Sequence, residues 1–174
     1  MNKISILCFS LLYLFTSFFS YSDQVSINIK SKVVESTCII SSDSTDFVVN
    51  MVSTNLRGQD TNIPFGKSPF SITLDNCPNS INIANIKFIG DPDHVMPNLL
   101  KILDNNESSA KGIAIGLYDE NNNIINISNN NMSYSINHDA NKYTFHFSAA
   151  YVKTREDAVP GQVQAISYFD IYYD

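Results

Sequence analysis

The sequence predicts an all-β domain, and three observations carry that prediction. Apolar residues fall on alternate positions in one segment after another, which is strand spacing. The segments are short, rich in β-branched and aromatic residues, and bounded by Asn, Asp, Gly, Pro or Ser. Nowhere do apolar residues recur at helical spacing for three turns. The nearest candidate, "MPNLLKILDNN" from Met96, contains Pro97 and stops in an Asn pair.

The elements follow in order. "DQVSINIKSKVV", Asp23 to Val34, places Val25, Ile27, Ile29 and Val33 on alternate positions. "FVVNM" (Phe47 to Met51), "PFSITLDNC" (Pro69 to Cys77), "IANIKFIGD" (Ile83 to Asp91) and "KGIAIGLYD" (Lys111 to Asp119) come next. "IINIS", "KYTFHFSAAYV" and "QVQAISYFDIYYD" complete the series. Roughly seven or eight strands without a repeat of fixed period predict a sandwich rather than a propeller or solenoid. The Asn-rich "ENNNIINISNNNMS" is interrupted by Ile124, Ile125 and Ile127 and reads as hairpin turns, since Asn suits left-handed backbone.

The chain opens with Lys3, the run "ISILCFSLLYLFTSFF" and the triplet Ser20, Tyr21, Ser22. That is the pattern of a secretory signal peptide, residues 1–22; for a membrane anchor the run is short and lacks a basic stop-transfer flank. Residues 23–174 then hold one domain with its own core. They are acidic and carry no Lys/Arg cluster, which argues against nucleic-acid and anionic-membrane binding. No direct membrane insertion of the mature chain is expected.

Of the three cysteines, Cys8 lies in the signal. Cys38 and Cys77 remain, and an even count in an oxidising compartment reads as a disulfide; a metal pair would lack further ligands nearby. His94, His138 and His146 show no metal-binding spacing, and His146 in "YTFHF" points away from the face of Tyr143, Phe145 and Phe147. "DPDH" at Asp91 to His94 reads as a turn. No nucleophile elbow, phosphate loop, calcium loop or other cofactor motif appears, so no enzyme and no cofactor are expected.

The final segment places Val163, Ala165, Phe169, Ile171 and Tyr173 on alternate positions up to Asp174. A strand ending without a covering turn offers backbone groups to a partner strand. Here the chain resembles the pilins of chaperone–usher bacterial fimbriae. The resemblance covers essentially the whole mature sequence: "VVESTC" at the first cysteine, "PFSITLDNCP" around the second, "AKGIAIGLYDENNN", and "FDIYYD" with a penultimate Tyr. Gly161, 14 residues from the end, fits as well.

The resemblance implies an incomplete immunoglobulin-like β-sandwich that lacks its last strand and is completed by a donated one. Residues 23–34 would be a donor-strand extension for a neighbour, presenting Val25, Ile27, Ile29, Ser31 and Val33, and residues 35–174 the pilin domain. Burying four such apolar side chains contributes on the order of 6–12 kcal/mol before ordering costs. Ser31 departs from the glycine usual in relatives. Gly161, Phe169, Ile171, Tyr173 and the Asp174 carboxylate would form the edge recognised by a periplasmic pilus chaperone. The implied partners are that chaperone, an outer-membrane usher and neighbouring pilin subunits including a tip adhesin, and the implied location is the cell-surface fimbrium. The short extension and "DSTDFVVNM" most resemble minor tip adaptors. The alternatives are a major rod pilin or a single-domain adhesive pilin, for which Tyr118, Tyr134, Tyr143 and Tyr151 are surface candidates, although aromatic residues at strand spacing are more often core.

Overall fold

The computed structural model describes residues 37–138 and 140–173. The expected signal peptide, the extension with Val25, Ile27, Ile29, Ser31 and Val33, and Asp174 lie outside the described residues.

Within them run β1 (Ile39–Ile40), β2 (Pro64–Asp75), β3 (Ile83–Gly90), β4 (Leu100–Lys101), β5 (Ile113–Tyr118), β6 (Ile124–Ile125), β7 (Met132–Ser135), β8 (Lys142–Lys153) and β9 (Ser167–Tyr173). The one helical turn described is a 3-10 turn at Ser42–Ser44. One sheet has the order β1-β2-β8-β5-β4, with β6 also on β5; the other has the order β7-β3-β9. All these strand pairs are antiparallel. Among the described residues there are nine strands, three of them two residues long, where the sequence led to roughly seven or eight over the mature chain.

The core lies between the sheets, as period-two alternation requires. Ile72 and Leu74 of β2 and Tyr143, Phe145 and Phe147 of β8 pack with Ala84, Ile86 and Phe88 of β3. His146 faces out, opposite Ser71, as its place in "YTFHF" predicts. Every residue of β5 is buried; on its outer side Leu99 and Met96 cover Ala114 together with Val152, its partner on β8. The Leu99–Ile102 stretch therefore forms no helix: Leu99 covers β5, and Leu100 and Ile102 enter the main core.

Tyr118 and Tyr143 are buried, and Tyr134 and Tyr151 pack partly buried against the core, so their aromatic surface is mostly committed to the interior. Tyr134 sits with its ring centroid 4.6 Å from that of Phe145. Burial, and then the charges of Glu120 and Asp119, push its hydroxyl up to about 12. Because the folded value exceeds the ordinary 10, the corresponding stability is complete below pH 10 and is lost as pH rises towards 12. In an ultraviolet titration Tyr134→Phe should lower the amplitude of the late phenolate step, which Tyr118, Tyr151, Tyr172 and Tyr173 share because they too are raised; loss of amplitude from the early step instead would contradict the assignment.

The turns bear out the polar punctuation. Asp119 accepts backbone N–H bonds from Asn121 and Asn123 at 2.9 and 2.7 Å, and Asn122 takes φ 63° between β5 and β6. At "DPDH", Asp93 accepts the N–H groups of Val95 and Met96, both at 2.9 Å, in a local turn.

Two expectations are corrected. Phe47–Met51 is not a strand, although its alternation is genuine: Phe47, Val49 and Met51 are half-buried while Val48 and Asn50 are exposed. Alternate burial arises from packing, Val49 and Met51 against the core and Phe47 against Phe70 of β2, and a strand needs in addition a partner in register to supply ladder bonds. Gln162–Ile166 is likewise not part of the last strand. Its backbone is bound to the preceding segment instead: Gln162 N–H donates to Ser108 O, and Ala110 and Leu103 N–H donate to Gln162 O and Gln164 O.

Candidate functional site

The Cys38 and Cys77 side chains form a disulfide. It closes the junction where β1 meets the end of β2, with Ile39 opposite Asp75 and Ile40 opposite Leu74. The ladder there is only two pairs long, so the covalent link holds what backbone bonds alone hold weakly.

At the other sheet, β9 pairs with β3 from Ser167 to Tyr173 and, among the described residues, with nothing on its second side. Its inward residues are Phe169, Ile171 and Tyr173, in register with Phe88, Ile86 and Ala84. Those three on β3 are 3%, 0% and 0% exposed, whereas Phe169, Ile171 and Tyr173 remain only half-buried. The core is complete behind β3 and incomplete along β9.

An aromatic floor runs from this edge towards the Phe47–Met51 segment. Phe169 lies 6.3 Å from Phe88, Phe88 6.2 Å from Phe70, and Phe70 5.9 Å from Phe47, between ring centroids. Val52 N–H, at the end of that segment, donates to Ser68 Oγ at 3.4 Å, which holds it beside β2. Half-buried apolar side chains and an aromatic floor beside an unpaired backbone edge are the features on which strand addition draws, where ladder bonds supply affinity and alternate side chains supply specificity.

Of the expected edge residues, Phe169, Ile171 and Tyr173 come together on this wall. Gly161 lies apart, six residues before β9 begins. A Cβ there would stand 2.5 Å from Ala110 N and Ser108 O, so only glycine lets residues 108–110 approach. Sequence reasoning missed Phe70 and Phe47 as members of this aromatic floor. Their alternation was visible, but not that Phe47, outside any strand, lies against Phe70 of β2.

The three histidines are exposed. Among the described residues no group of three or more His, Cys, Asp or Glu side chains could hold a metal ion, and no helix is long and apolar enough to cross a membrane. An open hollow of about 700 Å³ lies beside residues 53–58 and 156–160, where the exposed Glu156 accepts hydrogen bonds from Thr61 and Lys153. The Thr61 bond, and then Lys153, hold its carboxyl below the usual carboxylate range.

The architecture is a two-sheet immunoglobulin-like β-sandwich whose edge strand β9 is left half-covered. The Fimbrial protein family model matches residues 27–174, and the chain belongs to that family. The chain is 28% identical over 156 residues to the fimbrial subunit type 1 of Salmonella typhimurium, covering 86% of this chain and 82% of the relative. Its fold is similar to that of a Burkholderia pseudomallei antigen and type I fimbria protein (TM-score 0.60, 25% identity, 80% of this chain and 91% of that one). It is similar also to a subunit in the structure of a chaperone–usher pilus (TM-score 0.62, 16% identity, 88% and 98%). The protein is thus a structural subunit of a cell-surface fimbrium with the fold of chaperone–usher pilins, not an enzyme.

Proposed function

We propose that this subunit enters its fibre by donor-strand exchange. A neighbour's extension fills the groove along β9, and residues 23–34, ahead of the pilin domain at 35–174, fill the groove of the next subunit. The observation that carries this reading is the half-exposure of Phe169, Ile171 and Tyr173 beside fully buried partners on β3. Before assembly a periplasmic chaperone covers the same wall and delivers the subunit to an outer-membrane usher. Without such cover the edge is a site for non-specific pairing.

The short extension supports a minor adaptor position between tip adhesin and rod. A rod position is the second reading, favoured by the match between the chain's own extension and β9 described below.

The test is thermal unfolding of the chain lacking residues 23–34, with and without the peptide "DQVSINIKSKVV". At one hundred times its Kd the peptide should stabilise by about 2.7 kcal/mol. A truncated domain that is already stable, and that no donor peptide stabilises, would sink the incomplete-fold account. Stabilisation by a different subunit's peptide and not by this one would favour the adaptor.

A further inference from the structure

The groove uses one face of β9 and leaves the other unassigned. Tyr168, Asp170 and Tyr172 alternate with the groove residues and point outward; Tyr168 is 67% and Tyr172 50% exposed. Asp170 stands directly across from Lys87 of β3 and accepts a 3.0 Å hydrogen bond from the Tyr172 hydroxyl. None of the ion pairs among the described residues involves Asp170. Its second side is the open edge. Any strand that fills the groove therefore lays its own outward residues beside a carboxylate flanked by two exposed rings.

The chain's own extension has the matching chemistry. With Val25, Ile27, Ile29 and Val33 on the groove face, the outward positions are Gln24, Ser26, Asn28, Lys30 and Lys32. A shift of one residue would turn the apolar face to solvent, so only even shifts of register are compatible with burial. In an antiparallel ladder with Ile29 opposite Ile171, Lys30 falls opposite Asp170, Lys32 opposite Tyr168, and the small Ser31 opposite the large Phe169. Slid by two residues, Lys32 meets Asp170 and Lys30 meets Tyr172. Both registers set one ammonium group beside the carboxylate and the other beside a tyrosine ring.

We infer that the outward face of β9 selects a donor strand carrying lysines on its outward positions, and that the occupant it fits is residues 23–34 of a second copy of this chain. The inference rests on the donor-strand reading and names the partner for that same groove. The completed sheet carries a charge ladder of alternating sign across three strands, Lys87–Asp170–Lys30 in the first register and Lys87–Asp170–Lys32 in the second. Like charges directly opposite would be unfavourable, so the ladder also disfavours donors with outward carboxylates.

The experiment follows self-assembly of the mature chain, residues 23–174, by light scattering and size-exclusion chromatography at low ionic strength. Four forms are compared: the natural chain, Asp170→Lys, Lys30→Glu with Lys32→Glu, and the three substitutions together. Each charge reversal alone should slow assembly about fivefold, the upper range for an opposed cross-strand pair. The combined form should return to within about twofold of the natural chain, and salt of about 1 M should erase the differences. Should Asp170→Lys fail to fold, the extension reversals and a Lys30→Arg, Lys32→Arg control, expected to keep the natural rate, still decide the matter. Equal rates for all forms would overturn the inference while leaving the groove intact. A natural chain that never assembles would overturn it too, and the groove reading is then judged separately by the peptide-stabilisation experiment.

Discussion

Replacing both Cys38 and Cys77 by serine is expected to destabilise the domain by about 4 kcal/mol, the chain-entropy value for a closed loop of this size. The two cysteines are 39 residues apart, and the loop they close contains β1, the 3-10 turn, the segment Phe47–Met51 and all of β2. In the oxidised protein β1 cannot wander from the end of β2 even when the two-pair ladder between them opens. About 4 kcal/mol is a large share of the roughly 5–15 kcal/mol that holds a domain together. For a domain of this length it corresponds to a fall in Tm of about 8–16 °C. Scanning calorimetry of the double variant, beside the natural protein with and without reductant, measures it. A Tm within 2 °C or so of the oxidised protein would mean that β1 and its loop are held by packing alone. The functional consequence is local, because the loop carries Phe47, one end of the groove's aromatic floor. The double variant should therefore accept a donor strand more weakly than its loss of stability alone requires.

The long strands were legible because their side chains obey a rule that acts within the strand. Ile72 and Leu74 on β2, Ala84, Ile86 and Phe88 on β3, and Tyr143, Phe145 and Phe147 on β8 alternate in the sequence and fill the core in the structure. The disulfide followed from a count and a compartment. β7 escaped notice because Met132–Ser135 carries two serines and follows an asparagine run; its membership comes from pairing with Ile83–Ile86, which no local pattern encodes. Phe47–Met51 is the opposite case: its pattern reports burial, and burial does not require a paired strand.

The candidate site divides along the same line. That Phe169, Ile171 and Tyr173 share a face could be read from their spacing, and the resemblance to pilins implied that they border a groove. How incompletely they are covered could not be read from spacing, since coverage depends on which strand lies beyond β9. The requirement for Gly161 was equally invisible locally. It comes from the backbone at 108–110, some fifty residues earlier in the chain, and only the fold brings the two together.

Phe88→Ala is expected to produce a destabilisation comparable to loss of the disulfide, about 3–5 kcal/mol for removal of a buried aromatic ring. Phe88 is 3% exposed, and its ring meets those of Phe147 at 5.1 Å, Phe70 at 6.2 Å and Phe169 at 6.3 Å between centroids. The first two contacts are edge-on, with interplanar angles of 81° and 90°, the arrangement in which the positive rim of one ring meets the negative face of another. Truncation removes the transfer energy and these ring contacts together, and leaves a void that neighbours tied into two sheets fill only in part. The control is Ile89→Ala, one residue along β3 on the outward face and 39% exposed, which should change stability by no more than about 0.5 kcal/mol. Urea unfolding distinguishes the two, and an unchanged m-value in Phe88→Ala would show that the native state itself has not loosened. Donor binding should weaken as well, because Phe169 loses the ring behind it and the groove floor sinks at its centre. If Phe88→Ala unfolds like Ile89→Ala, the aromatic floor does not organise this core. If it is destabilised yet accepts the donor peptide with undiminished affinity, the donor strand does not bind over Phe88, and the groove must be placed elsewhere along β9.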